Sequence, residues 1–325
     1  MGENIDIKEL LITLEAEPYG VQDIGADEIL STEYPEPDWL VPDILPLGLS
    51  ILASAPKLGK SWLALQLCLE LGRGGSFLGH KLEKGTSLYF ALEDPPRRLK
   101  SRMLKQGWSK DAPTYFVTLQ QDGINLASRE GLEKLEEHII RRAPKLVIID
   151  TISRGAYLEA NKNEDVSAIY DKLARLASNY KICILLIDHH NKMTSIETAD
   201  VTRNILGSTA KAGVADAILG LYRKRGSLDA QLIITGRDIE YLAIHITFDS
   251  DTGRWLTSEE LPKGKLTEYQ EEIIEVLSEK PLRLSEVAKA VGTDNGNTRQ
   301  RLISLIKRGL VVKTLNGYYK LASRE

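Results

Sequence analysis

From Trp39 onward the chain alternates between two hydrophobic patterns. Short, continuously apolar runs give way to stretches in which apolar residues recur every three or four positions. The first pattern predicts strands over 48–54, 87–92, 114–118, 145–150, 181–187 and 216–222. The second predicts helices over 60–72, 95–106, 129–142 and 165–178. Strands and helices in strict alternation imply an α/β fold with a mostly parallel, twisted sheet flanked by helices. The runs "LVIID" and "ICILLID" are apolar throughout, as strands covered on both faces must be. Two later runs, 230–236 and 241–249, read as an antiparallel pair, followed by a turn at "SDTGR".

The pattern changes at both ends. Residues 1–38 are weakly periodic, with a short helix expected near 6–15 and an extended linker at "EYPEPDW". A second linker is expected at 259–266, between a large α/β domain at 39–258 and a small module at 267–325. In that module "TEYQ" spells a capping box and opens a first helix. "LSEVAKAVG" and "NTRQRLISLIKRG" follow as two more helices, each ended by glycine. "LVVKTLNGYYKL" is a hairpin turning at Asn316-Gly317. Three helices and a hairpin predict a winged helix-turn-helix domain.

Composition sharpens this picture in three ways. The net charge of −4 is unevenly spread: residues 1–38 carry eleven acidic side chains and one basic one, whereas 296–321 carry six basic and no acidic ones. An acidic leading segment and an anion-facing trailing surface follow. The two cysteines, Cys68 and Cys183, lie in apolar runs and read as buried free thiols, which suits a reducing compartment. No export signal and no long apolar span is visible, so a cytoplasmic protein without a membrane segment is expected.

The candidate chemistry starts at "SAPKLGKSW", just past the strand at 48–54. It spells a phosphate-binding loop, except that Ser54 stands where the first glycine is usual. The backbone N–H groups of Ser54, Ala55, Pro56 excepted, Lys57, Leu58, Gly59 and Trp62 are placed to face phosphate oxygens. The start of the following helix adds its positive end. Lys60 is expected at the β- and γ-phosphates of ATP, and the Ser61 hydroxyl at Mg²⁺. Asp150 closes an apolar strand and is a candidate magnesium carboxylate, on a strand expected beside the loop strand. Glu93, at the end of "SLYFALE", is the candidate general base for water, with Asp94 as its competitor or as a cap for the next helix. His189 and His190 follow a buried strand directly and face the crevice where open α/β sheets hold ligands.

Taken together, "SAPKLGKSWLALQL", "YFALEDPPRRL", "LVIIDT", "IDHHNK", "GSTAKAGVADAILGL" and "ITGRD" resemble the RecA-like P-loop ATPases. Within these the chain is similar to the plasmid RepA-type hexameric replicative helicases and related phage or mobile-element ATPases, over roughly 39–257. The resemblance implies a homo-oligomeric ring that couples ATP hydrolysis to movement on single-stranded DNA in a central channel. It implies that His189 or His190 senses the γ-phosphate, and that Arg237 is an arginine finger for the neighbouring subunit, with Lys224 and Arg225 as weaker candidates. It also implies channel-facing loops at 153–164 and 191–206, carrying Arg154, Lys162, Lys192 and Arg203.

The C-terminal module is expected to bind duplex DNA. In its third helix Leu302, Leu305 and Ile306 would face the core, leaving Asn297, Arg301, Ser304 and Arg308 on a polar recognition face. Lys313 and Lys320 on the hairpin would meet phosphates. Two other functions stay open: an ATPase that loads or regulates replication or recombination proteins, and a non-enzymatic DNA-binding regulator.

Overall fold

The computed structural model describes residues 23–34, 37–118, 124–156, 163–189, 213–224, 226–257, 260, 266–307, 310–314 and 316–322. The chain falls into two units, residues 1–37 and 38–325. Described residues of the first form a single short helix, Ala26–Ser31, with no buried residue. The helix expected near 6–15 lies outside the described residues.

The second unit is built on a nine-stranded sheet. Its strands are β1 (Gly48–Ser54), β2 (Ser87–Ala91), β3 (Thr114–Thr118), β4 (Leu146–Asp150), β5 (Cys183–His189), β6 (Ala217–Arg223), β7 (Asp229–Gly236), β8 (Leu242–Asp249) and β9 (Arg254–Thr257). Their order across the sheet is β9-β8-β7-β6-β1-β5-β4-β2-β3. The six strands from β6 to β3 are mutually parallel. Strands β7, β8 and β9 extend the sheet antiparallel. The predicted strands and the helices α1 (Lys60–Arg73), α2 (Pro96–Gln106), α3 (Arg129–Arg142) and α5 (Asn163–Tyr180) are all found, within a residue or two at their ends. A four-residue helix, α4 (Ile152–Gly155), follows β4.

Alternate residues of each strand supply two separate cores. Leu146 and Ile148 of β4, with Cys183, Leu185 and Ile187 of β5, pack with Leu63, Leu67 and Leu71 of α1. Val147, Ile149, Ile184 and Leu186 pack on the other face with Leu135 and Ile139 of α3 and with Ile169 and Leu173 of α5. The period-two geometry of a strand sends these sets to opposite faces, so both faces are apolar and both are covered. The result is an α/β architecture with a mostly parallel sheet covered on both faces, every parallel strand ending at one edge.

One expectation about neighbours is corrected. The Asp150 strand is not beside the loop strand: β5 lies between them, paired with β1 on one side and β4 on the other. The β2 strand that precedes Glu93 is one place further out, against β4. Strand β9 was not foreseen from the sequence, where a turn alone was expected.

Beyond residue 265 the chain forms α6 (Glu268–Glu279), β10 (Leu282–Arg283), α7 (Leu284–Ala290), α8 (Asn295–Lys307), β11 (Val311–Lys313) and β12 (Tyr318–Leu321). Thr267 and Gln270 close the predicted capping box reciprocally, at 3.1 and 3.2 Å. The hairpin turns through Gly317 at φ 80°, and β10 joins it as a third antiparallel strand. Ile273, Leu277, Val287, Leu302, Leu305 and Val311 make a core separate from the two beneath the sheet. Among the described residues no helix is long and apolar enough to cross a membrane.

Candidate nucleotide site

The loop 55–59 leaves the carboxyl end of β1 and turns into α1. Gly59 caps the helix with φ 109° and ψ 16°, a left-handed conformation that a side chain would strain. A Cβ there would also come within 2.8 Å of the Trp255 ring. Trp255, fully buried on β9, donates its indole N–H to the Gly59 carbonyl at 3.2 Å. Its backbone N–H and C=O are both paired with the Gln66 side chain of α1, at 2.7 and 2.8 Å. The unforeseen edge strand thus braces the phosphate loop from behind.

Lys60 is buried, and its ammonium turns back onto the loop. It donates to the Ser54 carbonyl and hydroxyl, both at 3.0 Å, and lies 3.2 Å from His189 Nδ1. Burial lowers its pKa to about 8, while the charges of Asp150, Asp188 and Glu93 oppose that fall. Ser61 hydrogen-bonds to Asp150, so the two predicted magnesium ligands meet although their strands are not adjacent. Asp150 is buried, and the Tyr89 hydroxyl donates to its Oδ2 at 2.6 Å. Burial pushes the Asp150 carboxyl up; the hydrogen bonds from Tyr89 and Ser61 pull the other way.

Glu93 and Asp94 separate by their partners. Asp94 is buried and forms ion pairs with Arg98, at 2.8 Å, and with Arg102. It anchors the start of α2, although the position that caps that helix is Pro95. Glu93 is exposed, accepts from the Thr151 hydroxyl at 3.0 Å and has Oε1 at 3.7 Å from His189 Nε2. His189 therefore stands between the loop lysine and the candidate general base. Its Nδ1 can accept from Lys60 only in the tautomer that carries the proton on Nε2, toward Glu93.

Other sequence-predicted residues fare differently. Pro56 and Lys57 are exposed on the loop, and Lys57 has φ 66°. The side chains of Leu58 and Trp62 pack against the core, Trp62 edge-on to Phe248 at 5.8 Å and under Arg102 at 5.3 Å. Only the backbone of Trp62 is left to serve a phosphate. Arg154 is exposed on α4, just past the carboxyl end of β4. His190, Lys192, Arg203 and Arg308, with Lys162 and Arg225, lie outside the described residues.

Arg237 sits at the other end of the sheet. Gly236 pairs with Ala217, which is in register with Ser50 near the start of β1. The Arg237 guanidinium donates to the Gly213 carbonyl at 2.8 Å and is 3.7 Å from Asp216. The ion-pair partner within reach is Asp216, brought there by the sheet register.

The recognition face foreseen on α8 is corrected. Asn297 Oδ1 is 2.7 Å from His245 Nε2 of β8 and 3.4 Å from Gln231 Nε2 of β7. Arg301 is buried, stacks over Tyr269 at 4.1 Å and approaches His245 Nδ1 at 3.5 Å. Ser304 is buried and accepts from Gln270 at 3.1 Å. Asn297 and the tip of Arg301 are turned against the antiparallel end of the sheet, and Ser304 against α6 of its own module, beside a cleft of about 790 Å³ lined by Lys224, Tyr241 and Gln300 among others. Leu302 and Leu305 face the core as predicted, and Lys313 is exposed.

Tyr89, Thr151, Gln66 and Trp255 were missed from the sequence. Tyr89 alone left a trace, as a phenol hydroxyl in the middle of a mostly apolar strand.

The residues present fit a magnesium nucleotide. A left-handed glycine opens a loop of backbone donors, a buried lysine sits at its end, and the oxygen donors Ser61 and Asp150 suit a hard cation. Two solved structures are similar at low identity. The RadB recombinase is 18% identical, covers 66% of this chain and 92% of its own, and gives a TM-score of 0.49. A KaiC-like protein from the hyperthermophilic archaeon Pyrococcus horikoshii OT3 is 16% identical, covers 67% and 93%, and gives 0.47. The family described as an AAA domain matches residues 15–195, more than half of the sequence, across the loop, Glu93, Asp150 and His189. With its phosphate loop, candidate magnesium ligands and candidate base meeting at one sheet edge, this chain belongs to the AAA domain family.

Proposed function

We propose that this ATPase works on DNA as a ring-forming motor of the replicative helicase type, moving on a single strand. The observation that carries its hydrolytic half is the meeting of Lys60, Ser61, Asp150, Glu93 and His189 at one edge of the sheet. Magnesium, when bound with ATP, supplies charge neutralisation at the phosphates. Lys60 adds a positive charge at the β- and γ-phosphates. Glu93, exposed toward solvent and held by Thr151, takes the proton of the attacking water. His189 links the two and reports whether a γ-phosphate is present.

The DNA half is supported by the resemblance of the motif set and by the exposed Arg154 near the nucleotide edge. Duplex binding by α8 is no longer supported in the docked state, because Asn297 and Arg301 are occupied. The wing residues Lys313 and Lys320, both exposed, keep a phosphate contact open.

The test is native mass and ATPase rate, with and without single-stranded DNA. Ring assembly with DNA-stimulated turnover is expected. Lys60→Ala abolishes turnover, and Glu93→Gln keeps ATP binding while slowing turnover by about 10²–10⁴-fold. A ring whose turnover is stimulated by DNA but which does not unwind a forked duplex is instead a loader or regulator. Turnover indifferent to DNA removes the motor reading altogether.

A further inference from the structure

Ser54 departs from the glycine usual at this position of the loop, and it is fully buried. Its hydroxyl donates to the Ala55 carbonyl at 2.8 Å, which leaves a lone pair free. That oxygen is 3.0 Å from Lys60 Nζ. An ammonium has three protons to give. Here they meet the Ser54 carbonyl and hydroxyl at 3.0 Å and His189 Nδ1 at 3.2 Å, with the Ala55 carbonyl further off at 3.5 Å. A glycine would leave one of the three close partners missing.

We propose that Ser54 is a positioning residue whose hydroxyl holds Lys60 turned back on its own loop until a nucleotide draws the lysine away. The inference rests on the nucleotide-site reading. Ser54 lies beneath the loop, at the end of β1, whereas bound phosphates lie on the side of the loop's N–H groups. Lys60 must exchange Ser54 and His189 for phosphate oxygens. The strength of the resting contacts is therefore subtracted from nucleotide affinity. Releasing Lys60 also frees His189 Nδ1, so the same exchange resets the histidine that faces Glu93.

A hydroxyl that merely supports the loop would, when removed, weaken the fold and nucleotide binding together. A hydroxyl that holds the lysine in reserve moves them in opposite directions. The experiment is a double-mutant cycle with Ser54→Ala, Lys60→Met and the pair, read by the melting temperature of nucleotide-free protein and by calorimetric titration with ADP and Mg²⁺. Ser54→Ala is expected to lower the melting temperature by roughly 2 °C. It is expected to tighten ADP binding by roughly three- to tenfold, the range of one charge-assisted hydrogen bond shared among several acceptors. Both shifts vanish in the Lys60→Met background. Weaker or unchanged ADP affinity in Ser54→Ala overturns the proposal, as does a melting shift that persists without Lys60. If wild-type protein binds no ADP, the nucleotide reading fails. The nucleotide-free cycle still decides the Ser54–Lys60 contact: additive melting shifts overturn it and coupled ones uphold it.

Discussion

Tyr89 and Asp150 show how much one buried hydrogen bond can matter. Tyr89 is fully buried at the middle of β2, and its hydroxyl gives Asp150 a partner at 2.6 Å. Tyr89→Phe keeps the ring and removes the donor. A buried carboxylate oxygen left without its partner costs about 1–3 kcal/mol. We expect that loss in urea denaturation, together with a higher magnesium requirement for ATP turnover, because the carboxylate is then held less firmly in its charged form. Unchanged stability and magnesium dependence would show that Asp150 draws its support from Ser61 alone. The same scale separates Glu93 from Asp94. Adjacent carboxylates look equivalent in the sequence, but two arginines one and two turns along α2 claim Asp94 and leave Glu93 for chemistry.

Among elements, α8 departs most from its predicted role. Its polar face meets β7 and β8, and the groups around His245 are Arg301 at 3.5 Å, Asn297 at 2.7 Å and the carboxylate of Asp294. Burial first, then the Arg301 charge, lowers the His245 pKa below 6.5, so the imidazole is neutral in the folded protein. A group with a depressed folded pKa contributes stability that is fully present above its unfolded value. That contribution is lost as pH falls from about 6.5 through the folded value. We therefore expect the protection of α8 amides against exchange, corrected for the intrinsic pH dependence, to fall between pH 7.5 and pH 5.5, more than that of α1. His245→Gln removes that pH dependence. An α8 whose protection is flat with pH would mean that His245 does not govern docking. Because the C-terminal module has its own core, deletion of residues 266–325 is expected to leave a cooperatively folding ATPase unit, checked by circular dichroism melting. Loss of the cooperative transition would make the docked face part of the main fold.

At the scale of the whole molecule, the sheet separates the nucleotide edge from Arg237. Gly236 is in register, through Ala217, with Ser50 near the start of β1, while Lys60 follows the end of that strand. Arg237 therefore cannot serve its own nucleotide, and a finger role requires a neighbouring subunit. Arginine fingers are worth about 10³–10⁵ in rate. An exposed ion pair, such as the one with Asp216, is worth at most about 1 kcal/mol. Lys60→Ala and Arg237→Ala proteins are each expected to be nearly inactive. If the proposed ring assembles, mixed rings are expected to regain turnover, because a Lys60→Ala subunit would still offer its Arg237 to the intact loop of its neighbour. Full activity of Arg237→Ala alone would sink the finger. Inactivity without rescue in proven mixed rings would give Arg237 a role within its own subunit, through Gly213 and Asp216.

Local pattern alone determined every strand of the large sheet but β9, the main helices and the phosphate loop, because period and turn chemistry are written in neighbouring residues. "LVIID" reads as a doubly covered strand whatever lies beside it, and Lys60 and Ser61 are named by their spacing from Gly59. Only the tertiary structure decided which strands are neighbours. Apolar strands with two covered faces carry no mark of their partners, so the insertion of β5 between β1 and β4 could not be read. Trp255 belongs to the same class: a single aromatic at an edge strand gives no sign that it will close over Gly59, some two hundred residues earlier in the chain. The polar stripe of α8 is the reverse case. Periodicity separates an apolar face from a polar one, but it does not say whether the polar face meets water, a nucleic acid or another part of the same chain. Here His245, Gln231 and Tyr269 supply hydrogen bonds and a ring face to Asn297 and Arg301, and packing between distant segments settled what those residues touch.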